Sequence, residues 1–189
     1  MADLKISQLS SATALAGTEV VPVVQGGSTK KATIDQILAP ASGKGIDFSA
    51  AGGDILTMYD EGAFASTLLF GGSNTGMSYN AQGGWYTRVG NTVHFTIFIQ
   101  LGLKGSSTGA VTVGGLPFTS KNTNSRKYSI NVTGQSLTGL TGALFGVLNE
   151  NDNKVYVYQS DATGGTALTD AAFTQYSSDN LIVTGTYQV

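Results

Sequence analysis

The sequence of 189 residues has no cysteine and a single histidine, His94. Without cysteine there are no disulfides, thiolate metal sites or cysteine nucleophiles, and one imidazole excludes any site that needs two. No serine stands in a motif with His94, so a Ser-His-Asp triad is not indicated. We therefore predict no catalytic residue, no metal site, no cofactor and no enzymatic activity.

Charge is also scarce. Charged residues make up 12% of the chain, and the formal net charge is -2 at pH 7. The densest basic group, Lys121, Arg126 and Lys127, is too small to neutralise a nucleic-acid backbone. No apolar run approaches the roughly 18 residues of a transmembrane helix, and the N-terminus lacks the apolar core of a signal peptide. We predict no nucleic-acid binding, no membrane insertion and synthesis inside the cell.

The chain is rich in glycine, serine, threonine and valine. There are 26 glycines, and hydrophobic residues make up 41% of the sequence, which is enough for a core. Such a composition with so few charges is typical of a β protein with many turns. The length suits one domain, or one domain with a small appendage.

Residues 1–40 differ from the rest and predict one hairpin followed by one helical turn. Four valines flank Pro22 as a short strand: Val20, Val21, Val23 and Val24. A glycine-rich turn follows, residues 30–34 can return as a second strand, and residues 34–38 predict a short helix. This unit buries too little surface to be stable alone, so we expect it to dock on a partner. Residues 41–54, rich in glycine, alanine and serine, predict a linker.

Residues 55–189 predict an all-β domain, an antiparallel β-sandwich of jelly-roll type with about seven strands and almost no helix. The strongest signal is a two-residue Gly90-Asn91 loop between two alternating runs. It places Val89 opposite Thr92 and Tyr86 opposite Phe95. Alternate residues then form the core face: Val93, Phe95, Ile97, Ile99 and Leu101. The other face carries Trp85, Thr87, His94, Thr96 and Phe98.

Two acidic pairs and one glycine-rich stretch are further candidate sites. A glycosidase needs two carboxylates across a cleft, but the Asp60-Glu61 pair and the Glu150/Asp152 pair both stand in turn-like sequence. The stretch from Gly71 to Gly76 has no following helix and no phosphate-loop lysine. We interpret all three as turns.

The aromatic residues are the better candidates for a binding site. Trp85, Tyr86 and Phe98, with His94 nearby, can stack on sugar rings while polar neighbours supply hydrogen bonds. The same exposed strip also suits an interface between subunits. The sequence leaves both interpretations open.

ISQL…TALAGTEVVPVVQGGSTKKATIDQIL resembles the N-terminal segment of tailed-bacteriophage virion proteins, especially tail-fibre proteins. YDEGAF, LLFGG, GWYTRVG and KGSSTGAVTVGGLPF resemble their C-terminal domain. The sequence departs from the family pattern at one place. Ala63-Phe64 stands where the pattern has tryptophan, and the proline of the pattern is missing here.

The resemblance implies a homotrimer that is part of the virion. The N-terminal segment would attach to other virion proteins through Ile6, Leu9 and the four valines Val20, Val21, Val23 and Val24. The C-terminal β domain would point outward and bind a glycan of the host surface. Two alternatives stay open: a capsid decoration or tail-joint protein with a structural role only, and, less favoured for want of a β-helical repeat, a polysaccharide depolymerase.

Overall fold

The structure is a computed structural model that describes residues 20–33, 46–47, 55–56, 58–162, 164–175 and 178–189. The chain divides into two compact units, residues 1–57 and residues 58–189, called here the N-terminal and C-terminal units. Ile6, Leu9 and the short helix predicted at residues 34–38 lie outside the described residues.

The N-terminal unit contains the predicted hairpin. Strand β1 (Val20–Gln25) pairs antiparallel with β2 (Ser28–Thr33), and Gln25 stands opposite Ser28. Gly26 and Gly27 form the turn with φ values of 60° and 75°, because a two-residue hairpin turn of this hand needs two positive φ angles. A second short pair, β3 (Ile46–Asp47) with β4 (Ile55–Leu56), begins inside the predicted linker.

The C-terminal unit is all β, as predicted. Its described residues form ten strands: β5 (Tyr59–Phe64), β6 (Thr67–Phe70), β7 (Ser78–Val89), β8 (Thr92–Leu103), β9 (Val111–Gly114), β10 (Lys127–Gln135), β11 (Leu144–Asn149), β12 (Val155–Gln159), β13 (Thr166–Ala167) and β14 (Asn180–Gln188). One short 3-10 turn, Asp170–Ala172, follows β13.

These strands form one continuous antiparallel sheet that curls around the core. Its order is β5-β7-β8-β14-β10-β11-β12-β9-β6, with β13 paired to β12. The all-β prediction is confirmed. The sandwich is not confirmed, because hydrogen bonding runs through all ten strands instead of separating them into two sheets.

The β7–β8 hairpin has the predicted register. Val89 pairs with Thr92 and Tyr86 with Phe95. The five residues of the predicted core face are all at most 1% exposed: Val93, Phe95, Ile97, Ile99 and Leu101. They meet buried side chains from β6, β9, β10, β12 and β14, so the inner face of the curl is the hydrophobic core. The opposite face of the sheet is called here the outer face.

Side chains join the two ends of the curled sheet. The hydroxyl of Tyr79, in β7, lies 3.3 Å from both the N–H and the carbonyl oxygen of Leu68, in β6. The amide of Gln82 donates to the carbonyl of Ser66 beside them. The last strand of the order therefore lies next to the second strand, and side chains take the place of a backbone ladder there.

Glycines in β5 and β7 leave room for aromatic rings. A Cβ on Gly84 would come within 2.4 Å of the Phe64 ring, and a Cβ on Gly62 within 3.1 Å of the Tyr86 ring. Each ring covers the glycine directly across the strand pair, an arrangement that stabilises sheet edges. Phe64 packs against the core. It lies in the part of the sequence where the tail-fibre pattern has tryptophan.

Candidate functional site

Trp85 lies on the outer face of β7 and is 57% exposed. It stands between Ala63 of the edge strand β5 and Thr96 of β8. Its indole lies close to Gly83, where an added Cβ would be 3.3 Å from the ring. Because Gly83 has no side chain, the large ring rests against the sheet and leaves an apolar face open to solvent.

Two shallow depressions meet at Trp85. One, of about 420 Å³, is lined on the β5 side by Glu61, Ala63 and Thr87. The other, of about 210 Å³, is lined on the β8 side by His94 and Thr96. Trp85 with Glu61, Thr87, His94 and Thr96 is called here the Trp85 patch. These side chains share the outer face because residues directly opposite in paired strands point the same way.

The polar groups of the Trp85 patch are held by neighbours. Tyr59 donates its hydroxyl to the Glu61 carboxylate at 2.6 Å, and this hydrogen bond raises the pKa of Tyr59 above its ordinary value. His94 Nδ1 lies 3.1 Å from the hydroxyl oxygen of Thr186. A carboxylate, an imidazole and hydroxyls around an exposed indole can accept and donate hydrogen bonds to a polyhydroxyl ligand stacked on the ring.

The other predicted site residues do not all join this patch. Phe98 is half-buried on the outer face, between Gly83 and Ile182 in the strand register. The ring of Tyr86 faces the core side, edge-on to Phe118 at 5.2 Å, and its hydroxyl donates to Asp60 at 3.0 Å. The structure thus groups Trp85 with His94 and places Tyr86 on the opposite face of the same strand.

The interpretation of Asp60 and Glu61 as turn residues is wrong. Both lie in the edge strand β5, opposite Arg88 and Thr87. Successive strand residues point to opposite faces, so the two carboxylates do not flank one cleft. Gly62 gave the segment its turn-like appearance, whereas in the fold this glycine leaves room for the Tyr86 ring.

The second acidic pair lies at the β11–β12 turn, as predicted. Glu150 accepts the N–H groups of Ser125 at 2.7 Å and Thr123 at 3.0 Å, and these bonds, that of Ser125 first, lower the pKa of the Glu150 carboxyl. Asp152 accepts the hydroxyl of Tyr156 at 3.0 Å. The pair therefore stabilises loops.

The stretch from Gly71 to Gly76 forms turns, as predicted. Within the described ranges, no three or more histidine, aspartate or glutamate side chains gather as a possible metal site. Over the same residues, no helix has the length and apolarity needed to span a membrane.

Sequence reasoning missed Glu61 and Thr186 as neighbours of the aromatic residues. Their closeness depends on β5 pairing with β7 and on β14 pairing with β8. The second pairing joins segments about ninety residues apart, and no local pattern encodes it. The alternation of β5 was a usable signal, because Tyr59, Glu61 and Ala63 share one face by the same period of two that revealed the core face.

Comparison with known proteins adds one likeness. No protein-family model matches the sequence, and no curated protein sequence matches it. Among solved structures, the chain is similar to the Dettilon tailspike protein, with a TM-score of 0.54 and 21% sequence identity. The match covers 69% of this chain and 24% of the tailspike chain, so it spans about a quarter of that protein. At this identity the likeness shows a shared fold.

Proposed function

We propose that this protein is a component of a bacteriophage tail, a short trimeric fibre whose C-terminal unit binds a glycan on the host surface. Two observations support this proposal. Motifs at both ends of the sequence resemble those of tail-fibre proteins, and the fold resembles that of part of a tailspike. The proposal places the protein in the virion, with residues 1–40 attached to other virion proteins.

The observation that carries the binding role is the geometry of the Trp85 patch. Tryptophan is highly buried on average, and here Trp85 is 57% exposed although the core lies on the other face of the same strand. The ring lies low over Gly83, between two depressions with a carboxylate, an imidazole and hydroxyls. An exposed aromatic ring framed by hydrogen-bonding groups fits the two faces of a sugar, one apolar and one polar.

Replacing Trp85 with alanine is expected to weaken binding to host cells about tenfold, since a ring contact is worth about 1.5 kcal/mol and each 1.4 kcal/mol is about a factor of ten. The labelled full chain is titrated onto host cells, and its ability to block phage adsorption is measured in parallel. Trp85→Tyr keeps a stacking ring and should restore most of the binding.

Val89→Ala is the matched control, because Val89 is exposed on the same face of the same strand. It should bind as the unchanged chain does. Light scattering reports the oligomer of every variant. If Trp85→Ala dissociates a trimer while the monomers still bind cells, Trp85 belongs to a subunit interface and the assignment of the glycan site is wrong.

The β1–β2 hairpin supports the attachment role. Val20, Pro22 and Val24 share one face of β1 and are exposed, Val24 to 77%. Val21 and Val23 share the other face and are half-buried. A hairpin whose first strand exposes three apolar side chains on one face is marginal by itself and is suited to docking against another virion protein.

Replacing Val24 with aspartate is therefore expected to reduce incorporation of the protein into virions about tenfold or more, because a buried unpaired carboxylate costs several kcal/mol. Quantitative immunoblots of purified particles measure incorporation. Gln25→Asp adds the same charge at the next residue, on the other face, and should be incorporated normally. Equal incorporation of the two variants would contradict the assignment of this face.

A second function, a capsid decoration or joint protein, is favoured by a different observation. Large apolar side chains are exposed along the β5–β7 edge: Met58, Tyr59, Trp85 and Val89. A neighbouring subunit could cover such a strip. Copy number per particle separates the two functions, because a decoration protein is present in hundreds of copies and a fibre in tens at most.

A further inference from the structure

The Trp85 patch is one end of a longer row on the outer face. Cross-strand pairing joins Trp85 to Thr96, Thr96 to Thr184, and Thr184 to Asn131. It then joins Asn131 to Phe145 and Phe145 to Tyr158. Because directly paired residues point to the same face, these six side chains form one line across six strands, called here the outer-face row.

The row has aromatic groups at both ends and polar groups between them. Phe145 and Tyr158 stack with ring centroids 5.4 Å apart and an interplanar angle of 17°. Thr96 and Thr184 are half-buried and Asn131 is exposed. Four strand spacings separate Trp85 from Phe145, which corresponds to about 19 Å along the sheet. A disaccharide is too short to reach from one aromatic group to the other.

A further depression, of about 390 Å³, touches the row at Asn131. It extends from there along β10, past Thr133, to Leu140 in the loop before β11. None of the six row residues is charged. Uncharged hydroxyl and amide groups between aromatic rings favour a neutral carbohydrate over a nucleic acid or a charged peptide.

We infer that the outer-face row is an extended binding site for a linear, neutral surface polysaccharide, in which Trp85 and the Phe145–Tyr158 pair hold sugars several units apart. Thr96, Thr184 and Asn131 supply hydrogen bonds to the sugars between them. This inference rests on the proposed glycan-binding function and adds the length and the neutral character of the ligand.

The test uses the full chain and fragments of the neutral surface polysaccharide from a strain that adsorbs the phage, separated by size after mild acid hydrolysis. Calorimetry measures the affinity for disaccharide and hexasaccharide fractions. We expect the hexasaccharide to bind at least tenfold more tightly. Phe145→Ala should remove about tenfold of the hexasaccharide affinity and Asn131→Ala about threefold, and each should narrow the difference in affinity between the hexasaccharide and the disaccharide. Trp85→Ala should weaken both.

Two controls keep the result decisive. Ser129→Ala removes an exposed hydroxyl on the outer face of β10, two residues before Asn131 and outside the row. It should leave the affinity for both fractions unchanged. Circular dichroism and thermal melting report folding. If Phe145→Ala unfolds the protein, the hexasaccharide affinity of Asn131→Ala tests the extended site instead, because Asn131 is exposed.

The two proposals fail in different ways. If the unchanged chain binds the disaccharide and the hexasaccharide equally, the extended row is wrong while the Trp85 patch stands. If it binds no fraction, both proposals are wrong. If the row variants alter the oligomer and leave hexasaccharide affinity unchanged, the row is a subunit interface and the inference is overturned.

Discussion

Replacing Gly71 with alanine is expected to lower the free energy of unfolding by about 3 kcal/mol. A residue with a Cβ costs about 1–2 kcal/mol in the left-handed conformation, and overpacking costs a similar amount. Gly71 has a φ of 58°, and its added Cβ would lie 2.3 Å from the carbonyl oxygen of Thr108. That oxygen belongs to backbone, so it cannot rotate away. Gly71 also donates its N–H to Ala110 at 2.9 Å, which ties the two loops together at the point of the clash.

Gly90→Ala is the matched control. Gly90 has a φ of 60°, and nothing lies within 4 Å of the Cβ position. It therefore carries only the left-handed cost, about 1–2 kcal/mol. Urea unfolding of both variants measures the difference, with the slope checked for a change in the unfolded state. Equal losses at Gly71 and Gly90 would show that the two loops separate freely, and the described packing would be wrong.

The β7–β8 hairpin shows what the sequence could predict. Its two-residue loop fixes the pairing of Val89 with Thr92, and the period of two then assigns every side chain of both strands to a face. Trp85 and His94 were placed on the outer face by this argument alone, and the structure shows both exposed there.

Sheet order could not be predicted in the same way. The period of two marks which residues of β14 are buried, but it does not show that β14 lies between β8 and β10. Such pairing is decided by the shape of the whole core. The outer-face row depends on five strand pairings, and those of β14 with β8 and with β10 join segments far apart in the chain, so its six residues look unrelated in sequence.

Breaking the ion pair between Lys104 and Asp170 is expected to be the other substitution with a large loss of stability. The Lys104 ammonium lies 2.7 Å from the Asp170 carboxylate, and the two side chains are only 18% and 15% exposed. Asp170 also accepts the N–H of Gly109 at 2.8 Å. Lys104→Met leaves a largely buried carboxylate without its cation and should cost about 3 kcal/mol.

The double variant, Lys104→Met with Asp170→Asn, tests whether the loss comes from the unpaired charge. It removes both charges, and asparagine still offers an oxygen to the Gly109 N–H. We expect it to be more stable than Lys104→Met alone, which a double-mutant cycle measures. Losses that simply add would mean that the two side chains do not interact in solution.

The same ion pair makes the unfolding free energy of the C-terminal unit depend on pH in the acid range. Burial of Asp170 opposes its ionisation, but the hydrogen bonds from Lys104 and from the Gly109 N–H outweigh burial and lower the pKa of the carboxyl. A lowered pKa means that the unfolded chain takes up the proton first as pH falls. The contribution is therefore complete above the ordinary aspartate pKa of about 3.9 and is lost as pH falls through the lower, folded value. Asp170→Asn should flatten this part of the curve of unfolding free energy against pH, and an unchanged acid slope would show that other carboxylates control it.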